Sequence, residues 1–517
     1  MKSKILLFVL VAAALTGYGR IAAGNEPPQL SAKAEAGDYY AIFIDGKQVG
    51  FAERTRTEEA DSVVSSENVK ITLSRVGSPI TVETKQSSTE TKDGKPISFE
   101  SVQKMSFIET KVTGKTDANG TLYLTESSFG SEQKRSIPWP QGAVMSEGLR
   151  LLEKQKGLKS GTSYEVIVFE PSMQQGLNAK ITVGDKQKVD LLGRSRSLTE
   201  VRTKINVPPA GEIESIEYVD DKLKMYKSVT PMMGMLLEMI ACEKEVATGR
   251  VDSYELIDKI FVASPQLIAD VKLAKSLQYT LSAVKEPNSQ SELFKVERKI
   301  QLDSIPSTDN QKVEIIDNNH VIVTVSPVDA PTGATFPYKG TDEKILEMLK
   351  PARFIQSDDR KIIDLAKQAT GDTNDAAEAV KRIEAFVANY IESRDLTVGY
   401  ASALEIVDSK QGDCSEFSVL TAALCRAVGI PARITVGYAY VKEFAGTKGG
   451  FGGHAWVEAY AGDKWVGLDA AFKSAGRGGY DAGHIALAYG NGDPEDFFTL
   501  MNTFGQFKID KIKIERK

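Results

Sequence analysis

One segment of the chain defines a helix at both ends and puts a thiol at its start. Gly412-Asp413-Cys414-Ser415-Glu416-Phe417 opens it, the apolar positions Phe417, Leu420, Leu424 and Val428 recur at helical spacing, and Gly429-Ile430-Pro431 stops it. Asp413 and Glu416, three residues apart, read as a capping pair, so Cys414 falls in the first turn among backbone N–H groups with no partner inside the helix. The positive end of a helix dipole favours the nucleophilic form of a thiol, and free N–H groups at the same end suit an oxyanion.

A hairpin follows. Residues 454–460 and 463–469 flank Ala461-Gly462. A two-residue turn at Ala461-Gly462 pairs Tyr460 with Asp463 and His454 with Asp469, whereas a turn at Gly462-Asp463 shifts the pairing by two and still leaves both on the same face. In the first register one face carries His454, Trp456, Glu458, Tyr460, Trp465 and Asp469; the other carries Ala455, Val457, Ala459, Val466 and Leu468. The aliphatic face suits packing on the Cys414 helix or its neighbours, and the polar, aromatic face suits a site. A thiol, an imidazole and a carboxylate in such contexts are the parts of a nucleophile, a base and a group that orients the base.

These motifs closely resemble those of the transglutaminase-like superfamily, a papain-related group with its thiol on a helix and its His and Asp on adjacent strands. The matching pieces are Gly412-Asp413-Cys414, the Gly429-Ile430-Pro431-Ala432-Arg433 turn into a strand, His454-Ala455-Trp456-Val457-Glu458, and Trp465 ahead of Asp469. Asp469-Ala470-Ala471 stands where that family often has Asp-Pro-Thr. The resemblance spans roughly residues 342–510 and implies Cys414 as nucleophile, His454 as general base and acid, and Asp469 as the orienting group. It implies a cysteine peptidase or amidase that cleaves an amide through an acyl-thioenzyme. Cross-linking by a protein-glutamine γ-glutamyltransferase is the alternative, and a non-catalytic binding module on the same fold is a third. Trp456, Glu458 and Trp465 are expected in the cleft or just behind it, with a cross-strand ion pair as the competing role for Glu458. The run Gly449-Gly450-Phe451-Gly452-Gly453 reads equally as a lid or as a glycine-rich hairpin turn.

The remaining thiols and imidazoles read as structural. Cys425, about three turns along from Cys414 and set among Leu424 and Ala427, belongs to a core. His484, in Asp481-Ala482-Gly483-His484, is read as structural ahead of a supporting role for the triad, and His320 sits in a polar turn. No His/Cys cluster has zinc-ligand spacing and no loop has calcium-ligand spacing, so the reaction is expected to need no metal and no cofactor.

Lys2 and Lys4 ahead of the apolar run Ile5 to Leu15, with small residues at Ala22 and Ala23, read as a secretory signal over residues 1–23, and a periplasmic or secreted protein is expected. Arg20 leaves the cleavage position, and an uncleaved anchor, open. Three cysteines in 517 residues imply a fold that does not depend on disulfides. No later stretch approaches the ~18 apolar residues of a spanning helix. A net charge of −6 without a basic stripe excludes nucleic acid as a partner; a protein or peptide substrate, cell-envelope peptides among them, is expected instead.

The expected fold class is α+β. Residues 36–250 read as a β-rich N-terminal domain, a large curved sheet or a sandwich, with hairpin turns at Asp45-Gly46, Asp93-Gly94 and Asn119-Gly120 and a helix at 143–154. A second β-rich unit is expected over 251–340. The catalytic domain, 341–510, opens with helices at 342–349, 360–368 and 376–391, and a fragment beginning near residue 340 is expected to fold alone.

Overall fold

The computed structural model describes residues 37–516 apart from 76–77, 106–107, 129–130, 208–210, 233–234, 256–260, 285–301, 394–400, 445–446 and 491–506. The signal segment expected at 1–23 lies outside the described residues. The chain divides into two compact units between Glu255 and Leu256. No described helix is long and apolar enough to cross a membrane.

Among its described residues, the first unit is one antiparallel sheet of fifteen strands, with a single short parallel pairing at its end. Strands β1–β8 run from Asp38 to Pro138 and β9–β15 from Ala143 to Cys242, each pairing with its neighbour in sequence, and β1 closes the order by pairing with β15. The expected hairpin turns lie where Asp45-Gly46, Gly94 and Gly120 connect successive strands, with each glycine at positive φ. Of the two architectures open from sequence, the curved sheet is the one adopted. It curls until strands from its two ends share one core, in which Leu122 and Leu124 meet Ala143 and Phe169, and Arg135 donates to Gln174 at 2.6 Å. The helix α1 (Ser146–Lys156) lacks a side-chain cap of its own. Glu90, from a strand, supplies it by accepting the Glu147 and Gly148 N–H groups at 2.6 and 2.9 Å.

The second unit holds two sheets and a group of helices. One sheet comprises β20 (Ala432–Phe444), the long β21 (Thr447–Ala461), β23 (His484–Gly490), β22 (Lys464–Leu468) and β16 (Phe261–Ala263). β20 lies between β21 and β23, while β22 and β16 pair with the two halves of the other edge of β21. The other sheet has the order β18 (Gln311–Asp317), β19 (His320–Val325), β17 (Ala274–Ala283), β24 (Phe507–Arg516). Aromatic side chains join the sheets: the Tyr279 ring lies 5.5 Å from Phe451, and Tyr438 lies 5.4 Å from Phe507.

Helices α4 (Arg360–Thr370), α5 (Ala376–Tyr390), α6 (Ala403–Ser409) and the short α8 (Ala470–Ser474) surround α7 (Cys414–Ala427), which packs on β20 and β21. The stretch drawn from sequence as 251–340 and that drawn as 341–510 share sheets in this one unit. The physical reason is strand pairing at long separation, which periodicity does not reveal: β16 pairs with β21, and β17 pairs with β24. Two side chains fasten the same joint. Asn310 donates to Glu458 Oε1 at 3.1 Å and to the Trp465 carbonyl at 2.8 Å, and Gln311 makes two 2.9 Å bonds to the Ala486 backbone.

Candidate active site

Cys414 is the first residue of α7, and the capping pair read from sequence is formed. Asp413 Oδ1 accepts the Ser415 N–H at 2.9 Å, and Glu416 Oε2 accepts the Asp413 N–H at 2.8 Å. Glu416 Oε1 also accepts the Ala401 N–H at 2.9 Å, which ties the helix start to the preceding α6 region. Burial, with Asp413 beside it, pushes the Glu416 carboxyl up to about 8. Gly412 is required here because a Cβ on it would stand 2.2 Å from Glu416 Cβ. The result is a half-buried thiol at the start of an otherwise buried helix. Cys425 is fully buried, as expected, and burial pushes its thiol up to about 12.

The hairpin adopts the second of the two registers. Its turn is Gly462-Asp463, both at positive φ, and it pairs Ala461 with Lys464 and Val457 with Leu468. His454 therefore pairs on its other side, with Gly437 of β20, while Asp469 follows the last paired residue of β22 and becomes the N-cap of α8. The shift by two preserves the face, so the imidazole and the carboxylate still meet: His454 Nε2 lies 2.8 Å from Asp469 Oδ2.

The two carboxylate oxygens have separate duties. Oδ1 accepts the Phe472 N–H at 2.9 Å and caps α8. Oδ2 faces His454 and, at 3.0 Å, His484 Nε2. The Asp469 backbone N–H is held in turn by Glu384 of α5 at 2.8 Å, and Lys473 bonds the other oxygen of Glu384 at 2.8 Å. With Nε2 of His454 committed to Asp469, Nδ1 is the nitrogen that remains for Cys414, whose thiol is close enough to favour the charged imidazole. The Phe472 ring covers the imidazole at 4.3 Å, and only 9 % of the His454 side chain is exposed.

Burial opposes a charged imidazole at His454, but Asp469 and Cys414 override it and hold the group up at about 10. Burial also works against a charged Asp469, yet His454 and His484 outweigh it and keep the carboxyl well below the usual carboxylate range. Donor atoms of His454, Asp469 and His484 lie within 4.8 Å of one another. Their 2.8 and 3.0 Å contacts are hydrogen bonds that engage these atoms with one another.

The polar and aromatic face expected to suit a site is mostly closed. Trp456 and Glu458 are buried. Trp456 packs 6.3 Å from the His454 ring and 5.2 Å from that of His484, and its Nε1–H has no partner among the described residues. Glu458 takes the ion-pair role, with Arg433 Nη2 at 2.6 Å, and Arg433 is stacked between Trp465 at 4.2 Å and Tyr489 at 3.7 Å. Breaking that pair from one side would cost about 3–5 kcal/mol. Residues Gly449–Gly453 form neither lid nor turn. They lie within β21: residues 450–453 pair with Val441, Tyr440, Ala439 and Tyr438 on one side and residues 450–452 with β16 on the other, while Gly449 stands at positive φ. Glu384 and Phe472 carried no signal in the sequence; His484 did, as one of three histidines and close to an aspartate.

Residues 363–470 match the model of the transglutaminase-like superfamily, a stretch that contains Cys414, His454 and Asp469. This stretch is a transglutaminase-like core. No curated protein matches the chain. Among solved structures, a "putative cysteine protease" from Cytophaga hutchinsonii shares 20 % identity over 47 % of this chain and 86 % of its own, with a TM-score of 0.28. A protein titled a TGase shares 17 % identity over 34 % of this chain and 49 % of its own, at a TM-score of 0.18. A β-barrel-like protein of unknown function from Brucella abortus shares 11 % identity over 40 % of this chain and 95 % of its own, at 0.32. Scores this low carry no argument; the transglutaminase-like core is assigned from the family match.

Proposed function

We propose that the transglutaminase-like core is an exported thiol hydrolase, cleaving amide or peptide bonds of a protein or peptide substrate with Cys414, His454 and Asp469. The observation that supports this most is the 2.8 Å bond from His454 Nε2 to Asp469 Oδ2, which leaves Nδ1 to serve the thiol at the start of α7. In this reading the Cys414 sulfur attacks the substrate carbonyl and a C–S bond forms. Protonated His454 gives its proton to the leaving nitrogen as the C–N bond breaks. Water then enters and His454 takes its proton; the new C–O bond forms, the C–S bond breaks, and the acid departs. The Cys414 N–H, which the Asp413 cap does not engage, is the first-turn donor that stabilises the oxyanion of each tetrahedral intermediate. Trp456, Glu458 and Trp465 serve the site by packing, not by touching the reacting atoms.

Hydrolysis is preferred over transfer to an amine because water at ~55 M resolves an acyl-enzyme unless a dedicated acceptor site raises the effective concentration of the amine. The test is partitioning. A glutamine-containing or cell-envelope peptide turned over with millimolar cadaverine is expected to give free acid in excess, and Cys414→Ala to lower turnover at least about a thousandfold. Dominant amide adduct would assign the protein to cross-linking. Unchanged turnover by the alanine variant would remove the thiol from the mechanism.

A further inference from the structure

His484 lies beyond the residues that match the family model, and the reaction just described gives it no step. It is fully buried, so it meets neither substrate nor solvent. Its position is nonetheless specific. β23 pairs with β20 so that His484 stands opposite Ala439, two residues from Gly437, the partner of His454. From there Nε2 reaches the same oxygen of Asp469 that His454 uses, at 3.0 Å against 2.8 Å.

We propose that His484 is a positioning residue for the triad: by donating its Nε2–H to Asp469 Oδ2 it fixes the carboxylate, and through the carboxylate the ring plane and tautomer of His454. The proposal rests on the reading of Cys414 and His454 as nucleophile and base. Asp469 turns Oδ2 to both imidazoles, while Oδ1 caps α8. A carboxylate oxygen accepts two hydrogen bonds, and two N–H donors on Oδ2 define both its direction and its plane. Once His454 has given up its Nδ1 proton, the ring is thereby held as the Nε2–H tautomer, with Nδ1 as the basic nitrogen.

His484 is itself oriented. Its Nδ1 lies 3.1 Å from Asp481 Oδ1, 3.0 Å from the Asp481 carbonyl and 3.3 Å from the Asp481 N–H, and Asp481 Oδ1 also accepts the Gly483 N–H at 2.8 Å. Besides the two aspartates, the Tyr480 ring faces it at 4.7 Å and the His454 ring at 5.7 Å. Arg477 acts on both carboxylates from further off, and Glu384 holds the Asp469 backbone. A histidine needed only to fill space would not require an acceptor at each nitrogen. The chain from Asp481 through His484 to Asp469 supplies one.

Three histidines in the whole chain make the test direct. In full-length protein labelled with ¹⁵N-histidine, His454 and His484 are each expected to give a protected Nε2–H resonance, and iodoacetamide is expected to alkylate Cys414 faster than the other thiols at pH 7. His484→Phe keeps the bulk and removes the donor; His484→Gln keeps a donor. The phenylalanine variant should lose the protected His454 Nε2–H and alkylate about tenfold more slowly, whereas the glutamine variant should stay within about threefold of the parent. A folded phenylalanine variant with the parental His454 resonance and alkylation rate would overturn the proposal. Equal losses in both variants would overturn it too, because a packing role does not distinguish them by hydrogen bonding. Should the phenylalanine variant not fold, Asp481→Asn, which loosens His484 from behind, is expected to shift both readouts in the same direction by less, and no shift would overturn the proposal. Alkylation of Cys414 no faster than that of Cys242 in the parent would instead defeat the nucleophile reading, while the His454 resonance would still judge the role of His484.

Discussion

At the scale of residues, Cys414, His454 and Asp469 stood out because each had a context that explained it: Cys414 after a capping aspartate, His454 at the start of one expected hairpin strand, and Asp469 at the end of the other. The residues that hold them did not. Glu384 lies on a helix 85 positions before Asp469 and looks like any helical acid, so only the fold brings it to the Asp469 N–H. The same limit hid the closure of Trp456 and Glu458, whose burial depends on Arg433, Asn310 and Tyr480 arriving from elsewhere. The charges give a pH prediction. His454, up at about 10 in the fold and ~6.5 when free, contributes stability that is complete below ~6.5 and is lost as pH rises through about 10. Asp469, held low, contributes stability present above ~3.9 and lost as pH falls through its folded value. Thermal unfolding of the second unit is therefore expected to move to lower temperature between pH 7 and pH 10. His454→Gln should flatten that decline, and an equally steep decline in the variant would contradict the assignment.

Among elements, α7 was readable from end to end, because a capping pair and a Gly-Ile-Pro stop are local signals. The hairpin was readable as to face but not as to register, since turns at 461–462 and 462–463, one residue apart, shift the pairing by two and alternation has a period of two. That parity has a mutational consequence. A residue inserted between Gly462 and Asp463 must either bulge the turn, which keeps Val466 and Leu468 in the core, or slip β22 by one, so part of the folded protein carries the slip. Forced to slip by one, β22 would turn Asp469 to the other face. Two inserted residues preserve the face in either case. We expect turnover to survive a two-residue insertion to within about tenfold and to drop further with one. Assaying the pair of variants at equal folded fraction checks this, and a one-residue insertion more active than the two-residue one would refute it. The glycine run before His454 was misread because consecutive glycines signal turns locally, while here strands on both sides supply the pairing.

For the whole molecule, the sequence marked a β-rich first half and a mixed second half but drew the second boundary too late. Hairpins in the first unit pair neighbours, which local turn signals disclose; β16 and β17 find their partners near residues 450–452 and 507–516, and no local signal discloses that. A fragment of residues 256–517 is accordingly expected to unfold cooperatively and to keep a reactive Cys414, while 341–517 is not, having lost β16, β17 and the Asn310 and Gln311 contacts. Calorimetry and thiol labelling of the two fragments decide it, and a cooperative transition in the shorter one would restore the later boundary. The pairing of β17 with β24 also bears on how the chain comes to life on the ribosome. Strand β17 emerges more than ~200 residues ahead of the partner that covers one of its edges, so through most of the synthesis of this unit that edge stands bare. Completion of this sheet waits for the last strand of the unit.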